Sequence, residues 1–366
     1  MNATHSVVDL DDVEGLLTAD RDGSLRAVAM AGAQVRATAA ALEEGELDQL
    51  QSDQPPRTVI WVAGRGNAET AGSLLAAALG GSVAAPIVVA PEVPPWIGAL
   101  DVLIVAGDDP GDPALVSAAA TGVRRGARVV VIAPYEGPLR DATAGRSVAM
   151  APRVWVPDEF RFSRYLAAGL AALQAVDPGL QVDLATLADE LDSEALRNSA
   201  GRELFTNPAK ALAERMDGCD VVIAGDNAAT LVLARHVAAI MLRVAHRVVS
   251  AVGLADALVA LRNGMGDAPE RERSIFHDEQ IDGPLPPRVR TFVLATDAER
   301  PVVVARIAGL DDVDVINAED VPETPDTAAG DLAPVAVVRP GRLEEQLAML
   351  ALRLEMAAVY LKLVRG

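Results

Sequence analysis

Residues 101–134, "DVLIVAGDDPGDPALVSAAATGVRRGARVVVIAP", constrain the fold more than any other stretch of this chain. An apolar run over 102–105 enters a Gly/Pro loop, a helix-like segment follows, and a second apolar run covers 129–132. Short β-branched runs separated by a helical stretch read as strand, helix and parallel strand, a layout whose first turn often holds phosphate. Yet that turn carries three aspartates, Asp108, Asp109 and Asp112, where an anion site needs donors.

The same alternation precedes it in "RTVIWVAGRGNAETAGSLLAAALGGSVAAPIVVA" from Arg57, and returns after Asp220 in "VVIAGDNAATLVLARHVAAIML" and "VRTFVLATDAERPVVVARIAG". The expected class is therefore α/β, built as two halves with parallel sheets and flavodoxin-like layers. A short echo between "VAGRGNAET" and "IAGDNAAT" relates the halves. Residues 1–55 read as a helical lead-in, 56–178 as the first α/β domain, 179–206 as a helical linker and 207–366 as the second α/β domain. Residues 263–288 and 310–334, rich in charge, Gly or Pro, read as excursions from the core. Leu343, Leu347, Leu350, Leu354 and Ala358 form a helical stripe that predicts a C-terminal helix.

Composition narrows the function. Aromatic residues make up only 3% of the 366, so the core is Ala, Val and Leu and offers no stacking platform for bases. A net charge of −20 repels nucleic acid and anionic membrane surfaces alike. The opening "MNATHSVVDLDDVEG" has no basic region followed by an apolar stretch, and Cys219 is the single cysteine. Together they lead us to expect a cytoplasmic protein without a disulfide or a structural zinc site.

Several segments, spread over nearly the whole chain, carry a resemblance. They are "DGSLRAVAMAGAQVRAT", "VAGRGNAETAGSLL", "VRRGARVVVIAP", "NPAKALAERM" and the ending "EMAAVYLKLVRG". With them the chain resembles the SIS-domain (sugar isomerase) family, specifically the bifunctional phosphoglucose/phosphomannose isomerases. The resemblance implies two SIS-like halves, a homodimer, a sugar or sugar-phosphate ligand, and neither cofactor nor metal.

It also implies a phosphate cradle in two loops of the first half. The first loop, set against a family pattern "GMGGSGIAGDLL", keeps Gly64 and Gly66, adds Asn67, and puts Ala68 in the serine position with Glu69 beside it. The second, set against "SYSGNTEET", has Ala106 and Asp108 for the serines and Gly111 and Ala114 for the threonines. The candidate ligand-binding residues are thus Gly64, Gly66, Asn67, Ala68, Glu69, Asp108, Asp109, Gly111 and Asp112. As alternatives, the aspartates cap the following helix, or, with more oxygen ligands than are visible here, hold a metal.

Aldose–ketose isomerisation needs a carboxylate base near C1 and C2 and a donor for the developing oxyanion. The family places a glutamate in a helix like "RWKTQLNENAK"; in "RHVAAIMLRVAH" the comparable positions are Met241 and Leu242. The resemblance implies that His277, in "FHDEQIDG", opens the sugar ring and that Arg153, in "APRVWVPDEF", faces the substrate. A terminal lysine of the family falls past the segment matched here, and Lys362 does not replace it. The expectation is a carbohydrate-derivative-binding protein with impaired catalysis and a regulatory or scaffolding role. Two alternatives are an active isomerase using Glu69, Asp226 or Glu279 as base, and an α/β partner protein that binds no sugar.

Overall fold

A computed structural model of the chain describes residues 8–52, 54–266, 288–318 and 342–365. Contacts gather residues Gly23–Leu196 into one unit and residues 1–22 with 197–366 into a second. Three helices open the chain: α1 (Val13–Ala19), which belongs to the second unit, α2 (Ser24–Val28) and α3 (Ala31–Glu43). The segment read as a lead-in thus contributes to both units.

The first unit then alternates strands and helices: β1 (Thr58–Ala63), α4 (Asn67–Leu79), β2 (Ile87–Ala90), β3 (Asp101–Ala106), α5 (Pro113–Arg125), β4 (Arg128–Ile132), α6 (Gly137–Thr143) and β5 (Val148–Ala149). All neighbouring strands pair in parallel, in the order β2-β1-β3-β4-β5, the flavodoxin-like order. Helices α7 (Phe162–Val176) and α8 (Leu184–Arg197) complete the unit.

Both faces of this sheet are covered, which is why its strands read as unbroken apolar runs rather than alternating ones. Ile60, Val62, Leu103, Val105, Val129 and Val131 pack on Leu115, Ala118, Ala119 and Val123 of α5 and Leu139 of α6. On the other face Trp61 is fully buried, and α3 and α4 pack on α7.

The second unit repeats the design, with four strands among the described residues. It contains α9 (Pro208–Met216), β6 (Asp220–Gly225), α10 (Ala228–Arg243), β7 (Ser250–Gly253), α11 (Leu254–Arg262), β8 (Val289–Leu294), α12 (Arg300–Ile307), β9 (Val313–Ile316) and α13 (Leu343–Arg365). Its parallel sheet runs β7-β6-β8-β9. Strand β9 lies inside the segment 310–334 expected to leave the core. That run is short and interrupted by Asp314, whose carboxylate is held by Arg215 at 2.7 Å and Arg290 at 3.0 Å. Helix α13 packs on α9 and α10 and is buried on nearly every side. Among the described residues, no helix is long and apolar enough to cross a membrane.

Candidate functional site

In an open parallel sheet, ligands bind beyond the C-terminal ends of the strands, where the strand order reverses. In the first unit that point falls between β1 and β3, because β1 leads to β2 on one side and β3 to β4 on the other. The loops after these two strands meet there: Gly64 N–H donates to Ala106 O at 2.7 Å. Every ligand residue expected from the sequence lies on one of these two loops or on the first turn of the helix that follows.

The first loop is shaped by Gly66, whose φ of 76° and ψ of −130° suit glycine alone. The N-cap position of α4 is Gly66, which offers no side chain to the first N–H groups of the helix. Glu69 is exposed in that first turn. Ala68 is buried, and its carbonyl accepts from Trp61 Nε1 at 3.0 Å. Asn67 faces inward: its Nδ2 donates to Asp158 O at 2.7 Å and Glu159 O at 2.9 Å. It tethers the loop to the turn before α7.

The three aspartates of the second loop do different things. Asp112 caps α5, accepting from Ala114 N at 2.8 Å, and Asp109 Oδ1 accepts from Gly111 N at 2.7 Å. Asp108 turns the other way. Its Oδ1 accepts from Arg161 Nη1 at 2.7 Å and from the Tyr165 hydroxyl at 2.6 Å. The capping expectation therefore holds for Asp112 and not for Asp108, and the carboxylates do not converge as metal ligands would.

Arg161 has two further partners: Nη1 also meets Asp158 Oδ1 at 2.7 Å and Nε donates to Val156 O at 2.7 Å. Burial works to lower its pKa, but Asp108, with Asp158, outweighs it and the net shift is upward. Burial raises the Tyr165 phenol well above its ordinary range; the Arg164 charge opposes this and Asp108 adds to it. Tyr165 is therefore a neutral donor at any physiological pH. Arg164 is buried beneath, donating to Met150 O at 3.1 Å with its guanidinium carbon 4.9 Å from the Tyr165 ring centre. Sequence reasoning missed all three. Their signal was Arg161, Arg164 and Tyr165 at i, i+3 and i+4 opening a helix otherwise rich in Ala and Leu.

Arg153 is placed apart from the loops. Its guanidinium is taken up by Glu44 at 2.9 and 2.6 Å and by Glu46 at 2.5 Å. With Gln34, Thr38 and Arg164 it lines a cavity of about 20 Å³, room for about one water molecule. His277 lies outside the described residues, as does Glu279.

The second unit reverses between β6 and β8. At the tip of β6, Asp226 pairs with Arg306, and Asn227 hydrogen-bonds Glu299 while capping α10 through Thr230 N at 2.8 Å. Glu299 also accepts from Thr296 N at 3.1 Å and Thr296 Oγ1 at 2.8 Å. Helix α10 carries no carboxylate; Met241 is buried and Leu242 exposed. His236 on that helix faces Glu355 of α13 at 2.7 Å, both fully enclosed.

The whole chain has solved counterparts. It is similar to a candidate phosphosugar isomerase from Clostridium difficile 630, with a TM-score of 0.62 and 11% identity over 93% of each chain. It is similar to tagatose-6-phosphate ketose/aldose isomerase from Escherichia coli, with a TM-score of 0.59 and 16% identity over 100% of this chain and 96% of that one. A glucose-6-phosphate isomerase like protein from Thermus thermophilus matches with a TM-score of 0.53 and 20% identity over 98% and 94%. The chain has the SIS fold. Within that fold, Asp108 and Asp226, at the two strand-order reversals, are each paired with an arginine of the chain. No family model matches the chain, and no curated protein matches its sequence.

Proposed function

We propose that this SIS-fold protein binds a carbohydrate derivative at the β1/β3 crevice without isomerising it there, and serves sugar-phosphate metabolism as a regulatory or scaffolding homodimer. The observation that carries this reading is the pairing of Asp108 with Arg161 and Tyr165. A carboxylate whose Oδ1 already accepts from two donors is poorly placed to take a proton from a sugar carbon, because that oxygen is turned to Arg161 and Tyr165 and not to a substrate. Its partner arginine is likewise committed and does not face an incoming oxyanion. The ligand class is supported by the fold's likeness to proteins that handle sugar phosphates. Asp226 is engaged with Arg306 in a comparable way.

A second reading rests on Glu69. It is an exposed carboxylate of the crevice, on the first turn of α4, and an active aldose–ketose isomerase could use it as base. Titration of the purified protein separates the readings. Glucose, glucosamine and the 6-phosphates of glucose, fructose and mannose are added in turn, followed by thermal shift and by NMR in the same samples. Binding without interconversion is expected. Interconversion that disappears in Glu69→Gln would establish the isomerase, and no binding of any sugar would leave an α/β partner protein.

A further inference from the structure

A guanidinium and a buried hydroxyl aimed at one point would ordinarily be read as an anion site. Here the point is filled. Asp108 Oδ1 sits 2.7 Å from Arg161 Nη1 and 2.6 Å from the Tyr165 hydroxyl, at the tip of the strand where the order reverses. The donors belong to the interior: Tyr165 is 0% exposed and the Arg161 side chain 19%. The acceptor is the outermost member of the three, with 25% of its side chain exposed.

An aspartate–arginine pair also occurs at the reversal in the other unit. "AGD" closes β3 as Ala106, Gly107 and Asp108, and closes β6 as Ala224, Gly225 and Asp226. Each aspartate is neutralised by an arginine from later in its own unit, Arg161 and Arg306. The two strands flank the reversal of their respective sheets.

We propose that Asp108 is a resident anion that occupies the oxyanion position of the first crevice and sets its ligand choice against phosphorylated, and in favour of unphosphorylated, carbohydrate derivatives. The inference rests on the reading that this crevice is the ligand site. A phosphate approaching the same donors must displace a carboxylate tethered to them, and therefore present at high effective concentration. If the carboxylate stays, the phosphate meets like charge at short range. An unphosphorylated sugar meets neither obstacle and has the remaining loop N–H groups and the exposed Glu69 carboxylate to bind.

Removing the tethered anion should uncover the site. Asp108→Asn keeps the shape without the charge, and Asp108→Ser supplies a hydroxyl. Calorimetric titration with inorganic phosphate and with glucose 6-phosphate, at fixed ionic strength, should show both variants binding at least about tenfold more tightly than the wild type, or about 1.4 kcal/mol. Adding Arg161→Ala to either variant should abolish the gain. Arg161 keeps Asp158 and Val156 O as partners when Asp108 is replaced, and circular dichroism checks that each variant is folded. Should Asp108→Ser be unstable, a thermal midpoint raised by phosphate in Asp108→Asn and not in the wild type gives the same answer. Equal phosphate affinity in wild type and folded variants, or a gain that survives Arg161→Ala, would overturn the proposal. Glucose and glucosamine titrated into the wild type report separately on the crevice as a sugar site, so their failure to bind sinks the proposed function without deciding what Asp108 excludes.

Discussion

The indole of Trp61 lies so close to Gly72 that a Cβ on that glycine would stand 2.3 Å from Trp61 Cδ1. On its far edge a Cβ at Gly169 would stand 2.9 Å from Cζ3 and 2.3 Å from Leu75 Cδ1. The ring is thus clamped between α4 and α7, which carry the first crevice loop and Tyr165. Overpacking of this kind costs about 1–3 kcal/mol, so Gly72→Ala and Gly169→Ala should each lower the urea midpoint without changing the slope. A midpoint equal to wild type would mean that the ring can move aside.

His236 and Glu355 should behave as one unit. Removing one member of a buried pair typically costs about 3 kcal/mol or more, whereas replacing both by apolar side chains is often close to neutral. Glu355→Leu alone should therefore destabilise the second unit more than the double variant His236→Leu/Glu355→Leu. A double-mutant cycle in urea, giving additive losses, would refute the coupling.

The N-terminus of α10 is held by a reciprocal pair, Thr230 N to Asn227 Oδ1 at 2.8 Å and Asn227 N to Thr230 Oγ1 at 3.1 Å. Loss of such a cap costs about 1–2 kcal/mol. Asn227→Ala should reach the upper end of that range, because it also removes the hydrogen bond to Glu299. Asn227→Asp should retain the cap while placing a second carboxylate beside Glu299, so its stability should recover as pH is lowered. Chemical unfolding of both variants, followed by far-UV circular dichroism at two pH values, checks this.

Alkaline stability should have a tyrosine signature. Burial pushes the Tyr360 phenol up to about 12, a hydrogen bond with Asn207 opposing it, and the hydroxyl donates to Asn198 O at 2.6 Å. In the unfolded chain the group releases its proton near pH 10. The native state then binds more protons than the unfolded state, so this stabilisation is complete below about pH 10 and is lost as pH rises towards about 12. Tyr165 acts in the same direction. Lys210, whose pKa burial lowers, acts in the opposite one, since the folded form gives up its proton first. The thermal midpoint of Tyr360→Phe should fall less steeply than that of the wild type above pH 10; parallel curves would assign the alkaline loss elsewhere.

Arg153→Ala should leave sugar affinity within about twofold of wild type, because the bound Glu44 and Glu46 already occupy the guanidinium's fork. Because both carboxylates lie at the surface, any stability change should shrink as salt is added. A tenfold loss of affinity would place Arg153 in the binding site.

Much of the frame was readable in the chain. "VIWVA", "VLIVA" and "VVVI" announced β1, β3 and β4 because strands buried on both faces need no alternation. The stripe on α13 was correctly helical but too narrow, since a helix enclosed on nearly every side carries apolar residues all round. β9 escaped because four residues interrupted by Asp314 give almost no period to read. The two loops stood out by their glycines and aspartates, yet the partners those residues take were not visible. Asp108 and Arg161 are 53 residues apart, and Asn67 finds its acceptors 91 and 92 residues on. Local propensity separates a cap from a turn, but only the tertiary fold decides that Asp112 caps and Asp108 does not.

All three tryptophans, Trp61, Trp96 and Trp155, fall within Gly23–Leu196. Trp61 is enclosed, with its N–H on a crevice carbonyl, while Trp155 is 79% exposed one residue before the carbonyl that holds Arg161 Nε. Indole emission is therefore a lamp in one half of the chain only, with a shielded and a quencher-accessible population beside the same loops. Melting of the other half is dark to it and visible to circular dichroism, so the two optical traces separate the halves without any label.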